Sequence, residues 1–235
     1  MWALSLGAAA DVSAQIDPVQ RRVFQMGYAL PVHEHGPVAA YAFYYHNEPQ
    51  FLQTNLTLRL AVVPVFVDSE LGIREALSPN TDLALGLSGG GFADSYSEMR
   101  QGDYITAESF TGHSAELNGS LYHLFNPGDL APLYAVRRGA IHGAFYTRDR
   151  DTDPEFQVPD DEASLIWRAG LRLGGREPYL SPQLAGEFSL WYEGQYRFNH
   201  DYYGFNGDRQ IEAITHLFWG RALFEIGRAS CRERV

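Results

Sequence analysis

Along much of this chain apolar and polar residues alternate one position at a time, and the alternation recurs segment after segment. Over 81–92, Leu83, Leu85 and Leu87 share one face while Asp82, Ala84, Gly86 and Ser88 share the other. Over 113–125, Ala115, Leu117, Gly119 and Leu121 oppose Ser114, Glu116, Asn118 and Ser120. Over 163–175, Leu165, Trp167, Ala169, Leu171 and Leu173 oppose Arg168, Gly170 and Arg172. Over 183–197, Leu184, Phe188, Leu190 and Tyr192 oppose Glu187, Ser189 and Glu193. A period of two belongs to strands whose two faces meet different surroundings. Clusters of Gly, Pro, Asn and Asp cut the chain between such segments. They predict eight strands, over 37–47, 56–76, 81–92, 113–125, 133–147, 163–175, 183–197 and 209–225. Before them, Asp17-Pro18 has the form of an N-cap followed by proline at the first helical position, and Val19, Val23 and Met26 fall near helical spacing. This predicts a short helix over 17–28, with a strand over Val23 to Leu30 as the competing reading.

Other segments fit the template less well. The second is apolar on both faces through Leu60 to Val67 and holds Pro64, which cannot donate to a sheet ladder, so a bulge or break is expected there. The fifth and eighth put Arg137 and Arg221 on the apolar side, near strand ends where arginine can snorkel. Connection lengths sort by end. Ser78 to Asn80, Asn126 to Pro132 and Gly174 to Pro182 are short, whereas Phe92 to Gly112, Arg148 to Glu162 and Phe198 to Arg209 are long, in strict alternation. Aromatic residues gather near strand ends: Tyr44, Tyr45, Phe145, Trp167, Tyr192 and Tyr196 by the long loops, and Tyr122, Phe125, Tyr134 and Phe224 by the short turns.

Alternation, loop order and aromatic placement over residues 37–225 together resemble the outer-membrane β-barrel class of Gram-negative bacteria. The resemblance is to an architecture: an all-β, antiparallel up-and-down barrel, apolar toward lipid and polar toward a lumen. It implies outer-membrane lipid as surroundings and export through the periplasm. It does not fix a function.

The ends qualify this. Met1 to Ala14 carries an apolar stretch followed by Val12-Ser13-Ala14, the form of a signal-peptide remnant with its cleavage site. Residues 15–36 then read as an N-terminal periplasmic segment. Ile226 to Val235 (IGRASCRERV) is what a common short-read sequencing adapter gives in translation, so 226–235 reads as an artefactual tail and the barrel as incomplete and open. The only cysteine, Cys231, lies in that tail. The formal charge is −11, and −13 without the tail, which argues against nucleic acid as a partner. All the formal positive charge is arginine, with no lysine anywhere.

Charged and polar residues on the alternating segments are candidates to line a lumen. They are Glu116, Asn118, Ser120, Arg138, His142, Arg168, Arg172, Glu187, Ser189, Glu193, Glu212 and His216. Opposed Arg168/Arg172 and Glu187/Glu193 on a hairpin could set a transverse field in a pore, or simply fill a small barrel with ion pairs. Ser120 and His142, with Glu116 or Asn118, invite comparison with serine hydrolases, but no G-x-S-x-G elbow is present. His33-Glu34-His35 lacks a third and fourth ligand for zinc, and the acidic loop 148–162 lacks the EF-hand order, so no metal is assigned and no cofactor is implied. Asn55-Leu56-Thr57 and Asn118-Gly119-Ser120 match the glycosylation pattern by coincidence in a strand.

The expected function is a pore or transport-related barrel for small solutes. A structural or adhesive barrel with a plugged lumen is the alternative, and an outer-membrane hydrolase the third reading.

Overall fold

The computed structural model describes residues 16, 19–29, 39–126, 132–174 and 186–224. The expected cleavage site, His33 to His35, Leu184 and the tail lie outside them. Among the described residues there is no helix. The chain forms β1 (Arg21–Ala29), β2 (Ala39–Pro49), β3 (Leu56–Val63), β4 (Phe66–Ser78) and β5 (Thr81–Gly90). There follow β6 (Tyr96–Arg100), β7 (Asp103–Leu124), β8 (Leu133–Thr147), β9 (Phe156–Gln157) and β10 (Glu162–Gly174). The last are β11 (Gly186–Arg197), β12 (Tyr202–Phe205), β13 (Arg209–Gln210) and β14 (Ile214–Phe224). Ten of these make an antiparallel meander in the order β1-β2-β3-β4-β5-β7-β8-β10-β11-β14, with β6 hung on β7. Among the described residues β1 and β14 are not paired, so the sheet is not closed.

Three expectations are corrected here. The helix over 17–28 is instead strand β1, paired with β2 from Arg21↔Asn47 to Ala29↔Ala39. The helical spacing of Val19, Val23 and Met26 competes with a period-two reading in which Phe24 and Met26 lie on one face and Val23, Gln25 and Gly27 on the other. Pairing with β2 satisfies the backbone groups along one side of the second reading, which decides for the strand. Strands therefore begin within the segment expected to precede the barrel. The segment 56–76 is two strands: β3 and β4 form a hairpin from Leu56↔Ile73 to Val63↔Phe66, turning at Pro64-Val65. Proline sits where the ladder ends, so its missing N–H costs nothing. The strict alternation of loop lengths also fails there. That two-residue turn lies at the end of the sheet that otherwise carries the long loops, although from β4 onward the order holds.

Polarity is inverted relative to a water-soluble sheet. On β10, Ser164 and Arg172 are buried at 0% and 4% exposure while Leu171, on the opposite face, is 50% exposed. Ser164 is flanked across the ladder by His142 on β8 and Arg197 on β11, and Leu165 by Ile141 and Tyr196. Leu85, Leu87, Leu117, Ile141, Phe188 and Leu190 continue the exposed face on β5, β7, β8 and β11. No second layer covers the buried face among the described residues, so its burial comes from the curl of the sheet on itself. We call that face inner. Arg137 stays on the outer face, as expected. Arg221 does not: it pairs with Ser189, an inner position.

The long loops are structured. β7 runs past its pairing with β5 and β8, and its residues 103–110 turn back on β6, roughly 25 Å of ribbon at the usual strand rise. Gln101 and Gly102 form the hairpin turn, both at positive φ (54° and 97°), which glycine at the second position relieves. From the other two long loops come β9, β12 and β13, a small sheet of their own.

One glycine on the inner face is fixed by an aromatic neighbour. A Cβ on Gly170 would lie 2.2 Å from Cε3 of Trp191, its partner on β11. Gly170→Ala is expected to cost about 1–3 kcal/mol by overpacking, read as a lower urea midpoint in detergent. Gly139→Ala, with nothing within 4 Å of its Cβ, is the control and should stay within about 0.5 kcal/mol of wild type.

Candidate functional site

The inner face is a lattice of ion pairs between neighbouring strands. In the β3/β4 hairpin, Arg59 Nη1 lies 2.9 Å from Asp68 Oδ2, and Nε lies 3.5 Å from Glu70. The Tyr122 hydroxyl donates to Glu70 at 3.2 Å. On β7 and β8, Arg138 is paired with Glu116, which also accepts from Asn118 Nδ2 at 3.2 Å. His142 faces two carboxylates: Nε2 is 2.9 Å from Asp94 Oδ2 and Nδ1 is 3.7 Å from Glu116 Oε2. On β10 and β11, Arg168 Nε donates to Glu193 at 2.7 Å, and Arg172 Nε is 3.3 Å from Glu187. Arg197 Nε is 2.9 Å from Glu162. Five arginines thus meet six carboxylates, each pair formed because strand register sets its members side by side on one face.

Of the residues that sequence singled out, Glu116, Asn118, Ser120, Arg138, His142, Arg168, Arg172, Glu187, Ser189 and Glu193 all stand on this face. Two do not. His216 pairs with Gly194 on the outer face, stacked on Tyr192 with ring centroids 6.0 Å apart. Glu212 precedes β14 and belongs to no strand; its carbonyl accepts from Arg197 Nη1 at 2.8 Å. Strand β14 begins later than expected, at Ile214, and its phase puts Thr215, Leu217 and Trp219 inward. Ser120 and His142 are not brought together. Ser120 is opposite Arg138 and His142 opposite Glu116, roughly 13 Å apart along the strands. The Ser–His–acid geometry of a hydrolase is absent from this set.

At the long-loop end lies a second cluster that sequence reasoning missed. Arg209 on β13 pairs with Glu108 on β7 and lies 3.3 Å from Glu98 on β6, and Arg100 reaches the same two carboxylates. The Arg209 guanidinium stands 5.4 Å from the ring centre of Phe156 and 5.8 Å from that of Tyr203. Phe156 is fully buried, with Phe205 edge-on at 5.4 Å. Thr152 donates to the Ser109 carbonyl at 2.6 Å, and Asp153 N–H to that of Ala107 at 2.9 Å. Three loops are thereby locked into one cap. The hydrogen bond from Tyr96 holds the Glu98 carboxyl below its ordinary range against burial, helped by Arg209 and Arg100. Burial, with that same bond, pushes the Tyr96 hydroxyl well above its ordinary value. The alternation in Tyr96-Ser97-Glu98-Met99-Arg100 and the Gln101-Gly102 turn pair were the available signals.

Charge is divided between the two clusters. The inner face is close to balanced, whereas residues 91–113, 148–161 and 198–213 hold thirteen carboxylates against four arginines, −9 in all. In the acidic loop, Asp149 accepts from Thr111 and Asp161 from the Tyr146 N–H, so these carboxylates serve the loop's own structure. Among the described residues no three His, Cys, Asp or Glu side chains are grouped to hold a metal ion. No protein-family model, curated protein or solved structure matches the chain.

Proposed function

We propose that this chain is the strand-bearing part of a Gram-negative outer-membrane β-barrel and that it lets small solutes cross that membrane. The observation that carries the reading is the inverted polarity: buried, ion-paired charge on one face and a continuous exposed apolar band on the other. Such a sheet suits a solvent that is apolar outside and wet inside. Ten main strands, an even number, run β1 and β14 antiparallel, the relation a closing seam needs.

Because Arg59, Arg138, Arg168, Arg172 and Arg197 are held by carboxylates, these five do not form an unpaired row to select anions, and the acidic cap biases entry toward cations. In planar bilayers the protein is expected to open, and under a KCl gradient its reversal potential should favour K⁺. That preference should fade as salt rises toward 1 M, where the Debye length shrinks to about 3 Å. Absence of openings at any voltage, or a preference for chloride, would sink the reading.

A second reading has one observation in its favour: the cap is a folded surface, as an adhesive or structural barrel would present. Deleting residues 198–213 separates the two, since conductance should survive the deletion and adhesion to a surface should not.

A further inference from the structure

One transverse row of the inner face is rich in aromatic and apolar side chains. Tyr122, Val136, Gly170, Trp191 and Trp219 stand in register across β7, β8, β10, β11 and β14. Trp191 and Trp219 stack with centroids 6.1 Å apart. The row lies toward the short-turn end, directly below the one that holds Ser120, Arg138, Arg168 and Glu193.

Ile16, which precedes β1 and belongs to no strand, is buried on this row. It is 5% exposed and clusters with Ala84, Tyr122 and Val136, with Trp191 packed against the group. Its side chain also fills the space over Gly72 on β4, where a Cβ would come within 2.7 Å of its Cδ1. The same segment is fastened again where it approaches β1. The buried Asn47 side chain donates to the Val19 carbonyl at 2.8 Å, and Gln20 donates to both Glu48 oxygens at 2.9 and 2.8 Å. Strands β4 and β8 are three strand spacings apart, roughly 14 Å, and the cluster that Ile16 joins, with Gly72 beneath its side chain, reaches across both and the two strands between. A side chain in that position stands in the hollow of the curl and not on its rim.

We infer that the segment bearing Ile16, Val19 and Gln20 is an internal strap. Its Ile16 side chain narrows the passage at the level of the aromatic row. The inference rests on the passage proposed above. An apolar island in a charged face, with a glycine left open beneath one isoleucine, is a seat shaped for that residue. Burying Ile16 there stabilises the strap by no more than one buried aliphatic side chain can. A seat of that strength holds the strap in place yet lets it leave.

Two measurements on the full chain, with Cys231→Ser as background, test this. Ile16→Cys should react with a membrane-impermeant maleimide at least tenfold more slowly than Gln53→Cys, an exposed site on a short turn at the same end. Adding Trp191→Ala should speed the reaction. In bilayers, Ile16→Asp should raise single-channel conductance at least twofold, and Ile16→Leu should leave it unchanged. Equal labelling of the two cysteine variants overturns the strap. Equal conductance of wild type and Ile16→Asp, with labelling still slow, overturns its part in narrowing the passage. If no variant conducts, the passage reading and the occlusion fall together, and slow labelling then establishes the seat alone.

Discussion

Arg209→Ala is expected to unlock the outer loops while the main sheet stays folded. Arg209 is the one cation that ties the loop 198–213 to both Glu98 and Glu108, and Glu108 is buried. Truncating it leaves two carboxylates short of charge and removes the guanidinium from the faces of Phe156 and Tyr203. Breaking a buried pair from one side costs about 3–5 kcal/mol. Arg100 still reaches both carboxylates, so the lower end, about 3 kcal/mol, applies. Chymotrypsin cutting at Tyr202, Tyr203 or Phe205 samples the opened loop. At tenfold per 1.4 kcal/mol, cleavage should accelerate about 100-fold. Arg209→Lys keeps the charge but loses the planar fork and the stacking, so it should fall between. The pH dependence has a definite sign. Glu98 has a depressed folded-state value, so its contribution is complete above the ordinary carboxylate range and is lost as pH falls through the folded value. With an acid-active protease such as pepsin, wild-type loops should therefore become cleavable below about pH 4, and Arg209→Ala should show a shallower change because part of the favourable charge is already gone. Unchanged cleavage would show that the cap does not depend on this arginine.

What the sequence disclosed and what it hid follow from the range of the interactions. Strands β5, β10, β11 and the later half of β7 were legible because each carries its own alternation, and alternation is local. The Arg168–Glu193 and Arg172–Glu187 pairs were legible as well, since a hairpin fixes register between near neighbours. Arg59–Asp68 was missed together with the Pro64-Val65 hairpin that sets it, and Glu116–Arg138 needed the register of β7 against β8. The Pro64-Val65 turn was hidden because apolar residues flank it and no glycine or asparagine marks it. β1 was mistaken for a helix because Val19, Val23 and Met26 fall near helical spacing, and only the pairing with β2 decides for the competing strand. His216 was assigned to the wrong face by a start of β14 placed five residues too early. The cap was least legible of all. Phe156, Tyr203, Arg209 and Glu108 come from three loops, and a loop's length says nothing about what its aromatic residues will meet.

A single substitution on the outer face decides whether that face meets lipid. Ile141, 58% exposed, lies mid-strand on β8, flanked in register by Leu117 and Leu165, with Leu87 beyond Leu117. In water, an arginine at such a site would be nearly neutral, within about 0.5 kcal/mol, and would relieve an exposed apolar patch. Near the bilayer midplane the same change costs about 2–4 kcal/mol, because a guanidinium there must thin the membrane or drag water inward. Arg137 does not contradict this: it sits four residues nearer the short-turn end, where its long side chain can reach the interface. Ile141→Arg is accordingly expected to lower the urea midpoint for folding into lipid vesicles and to reduce the folded fraction. Thr215→Arg, which points to the inner face of β14, should fold with nearly wild-type yield. The contrast between the two faces is the informative quantity, since a loss common to both would report only a fragile sheet. Equal tolerance at Ile141 and Thr215 would mean that both faces meet water, and the membrane placement would have to be given up.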